Sequence, residues 1–174
     1  MNPYYKMTHR SNFKERALAP DIAEEKFKEY CENSKKITYW KQTGFDERKS
    51  NMDKNDFFAI PYLIRAMPDF FVIADKKPFW IEVKGCRAEL RVKKHDLLWY
   101  NKWNLMSEAM DSKMCRLFLF IYSTHLGKEF VISYDSLVSL IEDNNYPVFT
   151  YPDSKKEYYR IDIKDIENVK KEKQ

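Results

Sequence analysis

The densest alternation of apolar and polar positions lies in PDFFVIADKKPFWIEVKG, Pro68 to Gly85. Two runs rich in Phe, Val, Ile and Trp flank the polar group Asp75-Lys76-Lys77-Pro78, a pattern that predicts a β-hairpin. With those four residues as the loop, Ala74 faces Phe79, Phe71 faces Glu82 and Asp69 faces Lys84. Side chains alternate along a strand, so Asp69, Glu82 and Lys84 share one face while Ile81 and Val83 point to the core.

The remaining periodicities place further elements around the hairpin. PDIAEEKFKEYCENSKK, from Pro20, predicts a helix with Ile22 or Ala23, Phe27, Tyr30 and Cys31 on one face. Asp21 stands at its capping position and Glu24 three residues later. Lys36 to Gln42 alternates like a strand, and Thr43 to Asp56 is a polar loop. Phe57 to Met67 is interrupted by Pro61 and reads as a strand or short turn. An amphipathic helix is expected from about Val92, then strands at Arg116–Ser123 and Lys128–Tyr134. YDSLVSLIEDN predicts a helix, short strands follow near Val148–Tyr151 and Tyr158–Ile163, and KDIENVKKEKQ reads as a fraying helix or tail. The sum is a mixed α/β fold, a sheet with helices packed against it.

Length and composition narrow this picture. A chain of 174 residues is most simply one domain, and 44% hydrophobic with 16% aromatic residues argues for a folded core. The expected organisation is a basic and aromatic arm at 1–20, a single domain at 21–163 and a charged tail at 164–174. Cys31, Cys86 and Cys115 are odd in number and widely spaced, which fits a reducing compartment. No apolar leader or bilayer-length run is present, so no membrane association and a cytoplasmic location are expected, in the host cell if the chain is phage-encoded.

Charge matters by its placement, because a net charge of +4 is modest. Lys6 and Arg10 interleave with Tyr4, Tyr5 and Phe13, a mixture suited to phosphates and bases but equally found in a surface-packed terminus. Arg48, Lys49 and Lys54 in the polar loop either meet a nucleic-acid backbone or are solvated charge. Arg87, Arg91, Lys93 and Lys94 form a cationic stretch just after the hairpin.

The chemistry centres on the hairpin. Two carboxylates, Asp69 and Glu82, suit Mg²⁺, and Lys84 beside them can hold or polarise an attacking water, as phosphodiester hydrolysis requires. Glu24 either complements its helix dipole together with Glu25 or adds a carboxylate to this site. His9, His95 and His125 are isolated and lack zinc spacing with the cysteines, His95 reads as a surface residue, and three glycines build no phosphate loop.

Pro68-Asp69 opening one apolar strand, and Glu82-Val83-Lys84 closing the next, with Glu24 on a preceding helix, resemble the PD-(D/E)XK nuclease superfamily. From Asp21 to Gly85 the pattern is similar to the phage endonuclease I type of Holliday-junction resolvase; nuclease subunits of heteromeric transposases show a similar order. The resemblance implies a restriction-endonuclease-like core: a helix, a mixed sheet whose hairpin carries the acid and the E-x-K, and a second helix. It implies a DNA endonuclease acting on branched or junction DNA, with Mg²⁺ as cofactor, Mn²⁺ substituting, and a homodimer as its working form. It also implies that Asp69, Glu82 and the Val83 main-chain carbonyl hold the metal. Glu24 would bind directly or through water, and Lys84 would orient the nucleophile. A sequence-specific or transposition-associated endonuclease, and an inactive nucleic-acid-binding or protein-interaction module of the same fold, remain alternatives.

Overall fold

The hairpin turns over two residues. In the computed structural model, which describes residues 13–44, 53–110 and 115–171, strand β2 (Phe70–Ala74) and strand β3 (Lys77–Cys86) pair with Ala74 opposite Lys77 and Phe70 opposite Ile81. Asp75 and Lys76 both take positive φ, 49° and 64°, the geometry of a tight turn whose twist matches the strands. The four-residue loop expected from Pro78 is therefore corrected. Pro78 pairs with Ile73 next to the closing pair, where its nitrogen points away from β2, and β5 joins only at Phe79. The shift relative to the expected register is two residues, so every side chain keeps its face.

Around the hairpin runs a mixed sheet of five strands in the order β1 (Ile37–Gln42), β2, β3, β5 (Arg116–Ser123), β6 (Lys128–Ser133). β3 and β5 are parallel; the other neighbours are antiparallel. Helix α1 (Phe13–Asn33) covers one face, where Ala23, Phe27 and Cys31 pack on Phe70, Val72, Ile81, Val83 and Phe120. This helix begins well before the expected start: Pro20 lies inside it and Asp21 is not its cap. The preceding KERALA segment is rich in strong helix formers and carries the helix across the proline. Ala23, not Ile22, takes the inward position.

The opposite face packs on α4 (Lys94–Met110), α5 (Tyr134–Asp143), α6 (Ile163–Lys171) and a second, antiparallel sheet of β4 (Glu89–Lys93), β8 (Glu157–Asp162) and β7 (Val148–Thr150). β4 takes residues expected at a helix start. Leu90 and Val92 alternate with polar neighbours and are buried opposite Ile161 and Tyr159, so period two prevails over the helical reading. The apolar stretch after the polar loop forms two short helices, α2 (Lys54–Ala59) and α3 (Tyr62–Arg65), split by Pro61 as α3's cap residue. Of the segment read as a fraying helix or tail, the described residues up to Lys171 continue α6 from Ile163, and Ile163 and Ile166 lie in the core. The mixed α/β fold, a mixed sheet flanked by helices, is as expected. All three cysteines are free, and no described helix is long and apolar enough to cross a membrane.

Candidate active site

Where β3 leaves the hairpin, the face opposite α1 carries Glu82 and Lys84 beside Leu119 and Ile121 of β5. Asp69 stands immediately before β2 and reaches across to β3, its Oδ2 accepting the Val83 N–H at 2.8 Å. Lys84 Nζ donates to Glu82 Oε1 at 2.6 Å. The Tyr100 hydroxyl, arriving from α4, donates to the same oxygen at 2.9 Å. The Glu82 side chain is 10% exposed and that of Lys84 25%, so the group sits in a recess rather than on the surface.

The end of β1 holds Asp69 from the other side. The N–H groups of Thr43 and Gly44 both donate to the Asp69 carbonyl, at 2.8 and 3.1 Å, and Thr43 Oγ1 donates to the Pro68 carbonyl at 2.8 Å. Gly44 has no room for a side chain: a Cβ there would stand 2.9 Å from Asp69 Cα and 3.0 Å from Asp69 Oδ1. Thr43 and Gly44 fall inside the expected polar loop, and nothing in the sequence marks either of them.

Burial pushes the Asp69 carboxyl up to about 8, and the charges of Glu82 and Glu24 act in the same direction against Lys84 and the Val83 N–H. Glu24 of α1 is thus near enough to be felt at Asp69, while Glu25 faces solvent. Burial alone would lower the Lys84 ammonium. The negative charge of Glu82 first, with Tyr100, Asp69 and Asp96 around it, holds it well above its ordinary value instead. Burial and Glu82 likewise raise the Tyr100 phenol, which stays a hydrogen-bond donor.

The donor set fits a hard divalent cation. Asp69 Oδ1 and Glu82 Oε2 receive no hydrogen bond from the described residues, whereas Oδ2 and Oε1 are engaged. A carboxyl driven toward protonation by burial, and after it by a neighbouring carboxylate, is one that a cation would return to its charged form. Among the described residues, no three His, Cys, Asp or Glu side chains are already gathered at coordination distance, so any ion here would need water or main-chain oxygen as well.

The basic stretch is less free than its sequence suggests. Lys93 lies 3.9 Å from Asp96, and Lys94 lies 3.0 Å from Glu157. Arg91 stacks over the Tyr158 ring at 5.5 Å on the second sheet, and Arg87 is exposed beyond the end of β3. Lys6, Arg10, Arg48 and Lys49 lie outside the described residues. His95 is exposed, as expected, but is bound into an aromatic cluster on α4. Tyr100 and Asp96 escaped the sequence reading. Tyr100 looked like one more apolar position of an amphipathic helix, and only the docking of α4 on β3 brings its hydroxyl to Glu82.

No protein-family model and no curated protein matches the chain. Among solved structures, the chain is similar to Hjc of Archaeoglobus fulgidus, a Holliday junction resolvase from an archaeal hyperthermophile. That match has 10% identity and a TM-score of 0.37, over 59% of this chain and 68% of the other. It is also similar to D212, a nuclease from a fusselovirus, at 14% identity and a TM-score of 0.39, over 88% of this chain and 86% of the other. Likenesses this distant leave the functional reading to the chain's own residues.

Proposed function

We propose that this chain is a metal-dependent endonuclease that hydrolyses phosphodiester bonds in DNA. The observation that carries the reading is the convergence of Asp69, Glu82 and Lys84 in one recess at the end of the β2–β3 hairpin. The element order also supports it: α1, the β1–β2–β3 meander, α4, and β5 parallel to β3 reproduce the core order of the PD-(D/E)XK pattern.

In this reading Asp69 and Glu82 hold Mg²⁺, or Mn²⁺ in its place, with the Val83 carbonyl, and Glu24 contributes directly or through water. When bound, such an ion neutralises phosphate charge and lowers the pKa of a bound water. The chain's own residues do the positioning. The Val83 N–H and the Thr43–Gly44 backbone fix Asp69, while Lys84 and Tyr100 both fix Glu82 by its Oε1. The Lys84 ammonium stays charged and lies where it can orient a water for in-line attack on phosphorus. The products would be a 5′-phosphate and a 3′-hydroxyl.

For substrate geometry we propose branched DNA, with Arg87 and Arg91 meeting phosphates. Symmetric cutting of a four-way junction needs two such sites, hence a homodimer. The test is a cleavage panel of single-stranded, duplex, flap and four-way-junction DNA plus an RNA control, each with Mg²⁺, Mn²⁺ or EDTA. Metal-dependent cleavage with preference for branched forms is expected. Equal cutting of all duplex forms removes the branch preference, and no cutting with either metal removes the enzyme.

A further inference from the structure

Beside the recess, α3 and α4 build a cluster that the hydrolytic chemistry does not use. The Tyr62 and Trp99 rings lie 4.6 Å apart at 34°. His95 stands edge-on to Tyr62 at 5.2 Å, and its Nε2 is 2.6 Å from the Tyr62 hydroxyl and accepts from Trp99 Nε1 at 3.1 Å. Two cations flank the rings: Arg65 at 5.0 Å over Tyr62 and 5.1 Å over Phe58, and Lys102 at 4.1 Å over Trp99.

These side chains are not core. Tyr62 is 41% exposed and Phe58 61%, and Trp99 beside Tyr62 is half-buried. Large rings held rigid at the surface and interleaved with cations match what a nucleic-acid strand presents: flat bases that stack and phosphates that need neutralising. Bases inside a duplex have no face to offer such a platform; unpaired bases do.

Helix α4 joins this cluster to the hydrolytic recess. His95, Trp99 and Lys102 alternate along it with Asp96, Tyr100 and Trp103, so one helix presents both. Asp96 follows His95 and stands one turn before Tyr100 on this helix, with Lys93 3.9 Å from its carboxylate.

We propose that the Tyr62–Trp99 face stacks the unpaired bases of a DNA strand whose phosphate enters the Asp69–Glu82–Lys84 recess. The choice of DNA rests on the nuclease reading; the stacking of unpaired bases does not. It gives the chain a means of distinguishing flaps and open junction strands from continuous duplex by contact with the bases they free.

The experiment measures binding in EDTA, where chemistry is silent, by fluorescence anisotropy with a blunt duplex and with the same duplex carrying a short single-stranded extension. Wild type should bind the extended duplex more tightly. Tyr62→Leu and Trp99→Leu should each lose about tenfold on the extension and leave the blunt duplex unchanged. Trp99→Phe should keep most of the preference, and thermal melting checks that each variant folds. In wild type, an oligonucleotide with 5-iodouracil in the extension should photocrosslink to Tyr62 or Trp99, whatever the variants do. Equal binding of both DNAs by wild type, equal losses on both DNAs, or crosslinks mapping elsewhere would overturn the proposal. So would a change of oligomeric state with strand binding intact, which would make the face a protein contact. If the extension preference holds while no metal supports cleavage, the stacking face stands and the nuclease reading falls.

Discussion

Tyr100 and Lys84 hold the same atom: Glu82 Oε1 accepts the phenol at 2.9 Å and the ammonium at 2.6 Å. The pair comes from different elements, α4 and β3, so the carboxylate is oriented by the packing of the helix on the sheet as well as by its own strand. Tyr100 touches neither water nor phosphate in this account; it positions Glu82. Tyr100→Phe should leave the protein folded at a cost of about 1.5–3 kcal/mol, the range for a hydrogen bond to a charged group. Single-turnover cleavage should slow about tenfold, with the metal concentration for half-maximal rate shifted upward. A purely structural tyrosine would change the urea midpoint and leave that metal dependence alone.

Gly85 follows the E-x-K for a packing reason. A Cβ at this position would lie 2.0 Å from the Ala19 carbonyl oxygen and 2.2 Å from its carbon, so α1 and β3 meet there backbone to backbone. Gly85→Ala should therefore destabilise on the order of 3 kcal/mol or more, because neither backbone can yield as a flexible side chain would. Chemical denaturation measures it; a loss under about 1 kcal/mol would show that the helix shifts freely.

Asp69 gives the metal-free protein a pH dependence opposite to that of a salt-bridged acid. Burial, and Glu82 after it, raise its pKa from 3.8 to about 8, so between these values the folded chain keeps a proton that the unfolded chain has lost. Unfolding then releases a proton, and stability falls as pH rises through that window. In EDTA the melting temperature should drop from pH 5 to pH 8, and Asp69→Asn should flatten the decline. Mg²⁺ at pH 8 should restore part of the loss in wild type and none in the variant. A melting temperature that rises equally with pH in both proteins would contradict the coupling.

Much of this centre was legible in the chain because period two is insensitive to a register error of two. The hairpin loop was placed over four residues instead of two, yet Asp69, Glu82 and Lys84 still fell on one face. Strand β4 is hidden in the sequence because Val92 and Lys93 run directly into the helix that starts at Lys94, and only β8, some seventy residues on, marks where the strand ends. Pro20 pointed to a helix start, a local rule that strong helix formers on its N-terminal side override. Tyr100, Thr43 and Gly44 were illegible for one shared reason. Each acts through a contact made by tertiary packing, and nothing in its own sequence neighbourhood marks it.

The central claim is that the Asp69 and Glu82 carboxylates hold a divalent ion for phosphodiester hydrolysis. It is tested most directly by single-turnover cleavage of a four-way junction with Mg²⁺, comparing wild type with Asp69→Asn and Glu82→Gln proteins whose circular dichroism is native. Both variants should lose at least about a thousandfold in rate, several kcal/mol of transition-state stabilisation, and still bind the junction. Folded variants that cut as fast as wild type would contradict the account.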